Sequence, residues 1–162
     1  MATEMGEYLV GAYLKLVERC DFVDYNVRPP GGGRAGLEEL DVIGLHFESS
    51  TAYLCEVMTH VRGLLYKNNS ETVQRIRGKY RKQKAYARAR LAQFKPVFMF
   101  WSPNVSVGYV TDHLERIEGL QCVINGEYKN RVDLLQRLAK EQRQDVGNPV
   151  FRVLQILGAL RD

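Results

Sequence analysis

Residues 40–58 read LDVIGLHFESSTAYLCEVM, and the way this stretch folds back on itself decides the fold. Leu40–Phe47 and Thr51–Met58 are apolar, β-branched runs separated by the polar triplet Glu48-Ser49-Ser50, the composition of two strands joined by a tight connection. Folding the pair about Glu48-Ser49 sets opposite one another residues whose numbers add to 97: Ile43 with Leu54, Leu45 with Ala52, and Asp41 with Glu56. In that register the two acids share one face of the hairpin, with Cβ atoms about 5 Å apart, among apolar neighbours. Two carboxylates so placed repel, and taking them out of water is costly unless a cation lies between them. Mg²⁺ or Mn²⁺, hard divalent ions that take oxygen ligands, would resolve the repulsion. An ordinary pair of strand-end acids is the alternative, because a slip by one residue sends one of them to the other face.

Around this hairpin there is room for one compact domain, 1–162. The chain has 162 residues and a mass of 18.6 kDa. With 45% hydrophobic and 26% charged residues it has the composition of a soluble globular protein. No apolar run approaches the ~20 residues of a membrane span. The opening MATEMGEYLV has neither the basic region nor the apolar core of a signal peptide. Cys20, Cys55 and Cys122 are odd in number and far apart, which fits neither a disulfide framework nor a paired-cysteine zinc site. A reducing cytoplasm is the expected setting.

The net charge of +4 conceals a strong asymmetry. Between Arg62 and Lys95 there are eleven basic residues and one acid, Glu71, so that segment carries +10 and the rest of the chain −6. A block of this kind is an electrostatic footprint for a polyanion, of which a nucleic-acid backbone is the commonest. Arg62, Lys67, Arg75, Arg77, Lys79, Arg81, Lys82 and Arg88 are the expected contacts. Tyr66, Tyr80 and Tyr86 are interleaved with them and suited to stacking on bases, although Tyr80 falls on the apolar stripe and reads as core. A solvated helix face, with its counter-charges elsewhere in the fold, is the plainer reading.

The remaining elements follow from periodicity. Met5, Tyr8, Leu9, Ala12, Tyr13, Leu16 and Val17 recur at helical spacing, predicting a helix over about 3–19 with Thr3 as its cap. Residues 22–27 alternate as a strand and run into a loop over 31–36 whose glycines lack the Gly-Lys-Ser/Thr ending of a phosphate-binding loop. A long basic helix is expected from Ser70, as its cap, to about Phe94, with a narrow stripe of Val73, Ile76, Tyr80, Ala87 and Leu91. Val97–Trp101 is a near-continuous apolar run, suited to a strand buried on both faces. A helix over 111–118, a strand over 120–124, a turn at Asn125-Gly126 and helices over 129–144 and 149–160 complete the chain. Asn148 caps the last of these and Pro149 opens it. The order α-β-β-β-α-β-α-β-α-α implies a central mixed sheet flanked by helices, an α/β (α+β) fold.

Leu40-Asp41-Val42-Ile43-Gly44 followed by Glu56-Val57-Met58-Thr59-His60, with Gly6-Glu7 on a preceding helix and a basic helix after the third strand, resembles the active-site hairpin of the PD-(D/E)XK, or restriction-endonuclease-like, nuclease superfamily. The similarity covers an αβββαβ core over about 4–101, with 102–162 as a C-terminal extension. The resemblance implies a Mg²⁺- or Mn²⁺-dependent nuclease, cutting phosphodiester bonds of DNA in preference to RNA. Asp41, Glu56 and the Val57 carbonyl would hold the metal, and Glu7 would be an auxiliary carboxylate. The position where the family usually has lysine is Met58, which can neither donate a proton nor stabilise an oxyanion. In some members that cation sits on the following helix, with a glutamine. Lys79 and Gln83, one turn apart at the edge of the stripe, and Lys84, nearer its centre, are the candidates. If none serves, the fold would be a catalytically inactive nucleic-acid-binding module, or a protein-interaction module docking its basic helix on an acidic partner.

Other residues are assigned less. His60, two residues past Met58, would point to the same face if the strand continued that far, as a ligand or base. His46 and His113 are given no role, Cys55 reads as a small buried hydrophobe, and Trp101 as packing. The apolar tail helix (Val150, Phe151, Val153, Leu154, Ile156, Leu157, Leu160) must be buried somewhere. It would either make a homodimer contact or close the domain's own core.

Overall fold

A computed structural model of the chain describes residues 2–32 and 39–161. The described residues form a five-stranded mixed sheet with helices on both faces. The strands are β1 (Phe22–Val27), β2 (Leu40–His46), β3 (Thr51–Val57), β4 (Lys95–Ser102) and β5 (Leu120–Ile124), and they lie in the order β1-β2-β3-β4-β5. The first three are antiparallel neighbours, while β4 runs parallel to β3 and β5 parallel to β4. The parallel pairs require crossovers, which α2 (Asn69–Arg90) and α3 (Tyr109–Glu115) supply. The expected α/β architecture is therefore present.

The two faces of the sheet bury different helices. On one, α1 (Met5–Leu16), α4 (Asn125–Glu141) and α5 (Pro149–Leu160) enclose Val10, Leu14, Val42, Cys55, Met99, Trp101, Leu135 and Phe151. On the other, α2 and α3 cover Ile43, Ala52, Leu54, Met58 and Phe100. Alternation along β3 sends Ala52, Leu54 and Glu56 toward α2, and Cys55 toward α1. Trp101 is fully buried between the rings of Tyr13 and Tyr128, the packing role expected of it.

The hairpin has the expected register, with Ile43 opposite Leu54 and Leu45 opposite Ala52 across a turn at 47–50. Several boundaries differ. Asn68, not Ser70, caps α2 by accepting the Glu71 N–H at 2.9 Å, and the helix ends at Arg90 rather than Phe94. α1 spans a shorter range than 3–19 and has Glu4, not Thr3, at its N-cap, with the Glu4 N–H taken by the Glu7 carboxylate. Asn125-Gly126 is the first turn of α4 and not a connecting turn, because the Asn125 side chain bonds both the N–H and the carbonyl of Val105. α3 starts two residues early and ends at Glu115. Of the loop expected over 31–36, positions 33–36 lie outside the described residues.

The tail helix closes the domain's own core. Asn148 caps it by accepting the Phe151 N–H at 3.0 Å and donates to the Tyr8 carbonyl at 2.8 Å, tying α5 to α1. Phe151 is fully buried, whereas Val153, Ile156, Leu157 and Leu160 stay exposed. No helix among the described residues is long and apolar enough to cross a membrane.

Candidate functional site

The β2–β3 ladder runs from His46–Thr51 to Val42–Cys55, and beyond its end Asp41 and Glu56 lie close enough for the charge of Asp41 to act on Glu56. There the Asp41 carboxylate accepts the Val57 N–H at 2.8 Å. Glu56 lies on the face covered by α2, as does Leu54 in the same alternation, and Asp41 is near enough to feel the charge of Lys79 on that helix. Glu56 is only 5% exposed. Lys79, projecting from α2, reaches its Oε1 at 3.1 Å with its own side chain largely buried. Gln83, one turn further on, is fully buried and donates to the Leu54 carbonyl at 3.2 Å, while its Oε1 has no partner. The third acid is Glu7 in the first turn of α1, also buried, whose carboxylate accepts the Glu4 N–H at 3.0 Å and the Asn26 amide at 3.2 Å.

Gly6 makes that approach of α1 feasible. A Cβ there would lie 1.9 Å from Thr59 Oγ1 and 3.3 Å from Val57 Cγ1, so the helix start is pressed against the end of β3.

Electrostatics sets these groups apart from surface acids. Burial, and then the charge of Asp41, push the Glu56 carboxyl up to about 8, against the pull of Lys79 and Arg75. Asp41 is raised by burial too, against the Val57 N–H and Lys79, and Glu7 is raised by burial and by the charge of Asp41. Lys79 alone therefore does not supply the positive charge that would let Asp41 and Glu56 ionise together at neutral pH. The donor set consists of hard oxygens beside one ammonium, which fits Mg²⁺ or Mn²⁺. Among the described residues no group of three or more His, Cys, Asp or Glu side chains is disposed to hold a metal ion. A divalent ion would take two carboxylates, Asp41 and Glu56, with the Val57 carbonyl, and fill its remaining positions with water and substrate oxygens, the usual habit of magnesium.

Of the lysine candidates, Lys79 is brought to the acids. Lys84 instead lies 4.5 Å over the Tyr80 ring, in a cleft with Arg77, Arg81 and, from beyond α3, Arg116. Met58 packs into the core under α2 with Val73, Ile76 and Phe100. Tyr80 is core, as expected, with its hydroxyl on the Glu118 carbonyl. The expected continuation of the strand to His60 does not occur. β3 stops at Val57, and His60 is exposed, turned toward Tyr66.

The basic residues line two flanks of α2. Arg75, Lys79 and Lys82 occupy the flank toward β2, with Lys82 in a groove with Glu39 and Tyr86; Arg77, Arg81, Lys84 and Arg88 occupy the other. Arg62 and Lys67 are exposed on the segment that leads into the helix. Sequence reasoning missed Asn26, which steadies Glu7, and Arg116, which joins the outer flank. Asn26 sits in an apolar alternation and Arg116 lies far outside the basic block, so neither carried a signal.

No protein-family model matches this chain, and no curated protein or solved structure matches it either.

Proposed function

We propose that the chain is a divalent-metal-dependent nuclease of the restriction-endonuclease-like type that binds nucleic acid, DNA before RNA, along α2 and cleaves phosphodiester bonds beside Asp41 and Glu56. The observation that carries this reading is Lys79 at 3.1 Å from Glu56, a cation delivered from the helix to the acid pair where Met58 supplies none. Bound between the carboxylates, Mg²⁺ or Mn²⁺ would lower the pKa of a water and neutralise charge on the phosphate in the transition state. The chain's own residues would do the rest. Asp41, fixed by the Val57 N–H, and Glu56, fixed by Lys79, present oxygens in a set orientation. Lys79 would add a positive charge beside a phosphate that becomes pentacoordinate in the transition state, where a preorganised charge counts most. Gln83 fixes the depth of α2 over β3 through the Leu54 carbonyl, and Glu7 adds negative charge that favours a cation.

The direct test is nicking of plasmid DNA in Mg²⁺ and Mn²⁺ by wild type, Asp41→Asn and Glu56→Gln. Nicking by wild type that both substitutions abolish supports the mechanism, and metal-dependent nicking that survives them overturns it. One observation favours a second reading, a nucleic-acid-binding module without cleavage: among the described residues no group of three or more His, Cys, Asp or Glu side chains is disposed to hold a metal ion. That reading requires salt-sensitive binding, indifferent to divalent ions, with no nicking.

A further inference from the structure

A second polar cluster adjoins the carboxylates. Tyr66 stands between β3 and α2, held from behind. Its N–H donates to Thr72 Oγ1 at 2.8 Å, the Thr72 hydroxyl donates to the Asn68 carbonyl at 2.9 Å, and Thr72 is fully buried. The Arg75 guanidinium lies over the Tyr66 ring, 4.1 Å from its centroid. The His60 ring meets the ring of Tyr66 edge-on, with Nε2 3.1 Å from the phenol oxygen, and that oxygen also touches Met58 Sδ at 3.9 Å. His60 and Arg75 are both exposed.

Stacking on a ring orients a guanidinium without using its in-plane N–H donors, which stay free for an oxyanion. Among the described residues no carboxylate lies within ion-pair distance of Arg75. The cluster is also close to the proposed reaction centre. Arg75 is one helical turn before Lys79, and its charge is felt by Glu56. Residues four apart on a helix stand about 5–6 Å from one another. Successive phosphates of one strand rise by about 3.4 Å along the duplex and are further apart in space because the backbone also winds. One turn of α2 therefore spans about one nucleotide step.

We infer that Arg75, held on Tyr66 beside His60, forms a subsite for the phosphate that neighbours the scissile one, so that the protein takes a polynucleotide strand and not an isolated phosphodiester. This rests on the proposed nuclease reading, with Arg75 as a positioning residue and Lys79 as the cation at the bond that is cut. Tyr66 sets the direction of the guanidinium, and the His60 imidazole stands at the same rim.

The test compares two substrates in Mg²⁺: an oligonucleotide duplex, and bis(p-nitrophenyl) phosphate, which has a single phosphodiester and no neighbour. Arg75→Ala and Tyr66→Ala should raise KM for the oligonucleotide by about ten- to a hundredfold, the worth of a charged hydrogen-bonded contact. Their effect on kcat/KM for the small diester should be at least about tenfold smaller. Arg75→Lys, which keeps the charge and loses the fork, should fall between. Equal losses on both substrates, or none on the oligonucleotide, would overturn the subsite.

Oligonucleotide binding without metal, measured against salt, separates this from the nuclease reading. A neighbour-phosphate contact requires Arg75→Ala to weaken binding and to reduce the salt slope by about one. If wild type does not cleave but this signature appears, Arg75 still holds a phosphate of the strand, while the nuclease reading falls and with it the assignment of that phosphate as neighbour to a scissile one. If the slope is unchanged, the subsite is wrong whether or not the protein cleaves.

Discussion

Lys79 Nζ lies 3.1 Å from Glu56 Oε1, and both side chains are withdrawn from water. The lysine belongs to a crossover helix and the glutamate to the middle of the sheet, so the contact forms only when α2 docks on β3. Removing one partner leaves the other buried and unpaired, which costs about 3–5 kcal/mol for a buried pair. Lys79→Met should fall toward the lower end of that range, because Glu56 can take up a proton. Nicking should fall by at least about a hundredfold, as for loss of a preorganised charge. Lys79→Met with Glu56→Gln should recover most of the stability in urea and none of the activity. Recovery of activity would show that neither Lys79 nor Glu56 serves the chemistry.

Asp41 behaves differently, because its asparagine counterpart can still accept the Val57 N–H. Asp41→Asn removes the nearest like charge from Glu56 while keeping that bond. In chelator-treated buffer the variant should melt at or above the wild-type temperature. Millimolar Mg²⁺ should then raise the melting temperature of wild type and leave Asp41→Asn unmoved, since only a ligand that binds the folded state stabilises it. Equal shifts would place the metal elsewhere.

Gly6 tests how closely α1 must approach. In Gly6→Ala, Thr59 can swing its hydroxyl away, but Thr59 Cβ and Val57 Cγ1 remain at 3.2 and 3.3 Å from the new methyl. The helix start must yield, and Glu7 moves with it. A stability loss of about 1 kcal/mol, at the low end for overpacking, is expected with a disproportionate fall in activity well below the melting temperature. Gly126→Ala, where an added Cβ meets nothing within 4 Å, is the control and should be close to neutral in both.

Alkaline stability reports on β1. Burial, the largest influence on it, pushes the Tyr25 phenol from 10.0 up to about 12. Between those values the unfolded chain has lost the proton and the folded chain has kept it, so stability falls as pH rises from about 10 to 12. Tyr25→Phe should make that alkaline limb of the melting-temperature profile shallower. An unchanged slope would mean that the phenol reaches water in the fold.

Features that depend on local periodicity were legible in the residues alone. Alternation in residues 40–58 set the strands and their register from Val42–Cys55 to His46–Thr51, because a one-residue slip would have sent Ile43 and Leu54 to the wrong face. Asn148 and Pro149 fixed the start of α5 by capping chemistry alone. The choice between Lys79 and Lys84 was not legible. The two are about 140° apart around α2, and the side of the helix that docks is defined partly by Thr72 and Gln83, polar residues that leave no hydrophobic signature. Likewise, the end of β3 at Val57 turned His60 out of the strand face and toward Tyr66. Asn26 met Glu7 only because α1 packs over the sheet. Tertiary structure decided these partners because each joins elements distant in the chain, and docking fixes the rotation of a helix about its axis where its own pattern is too weak to do so.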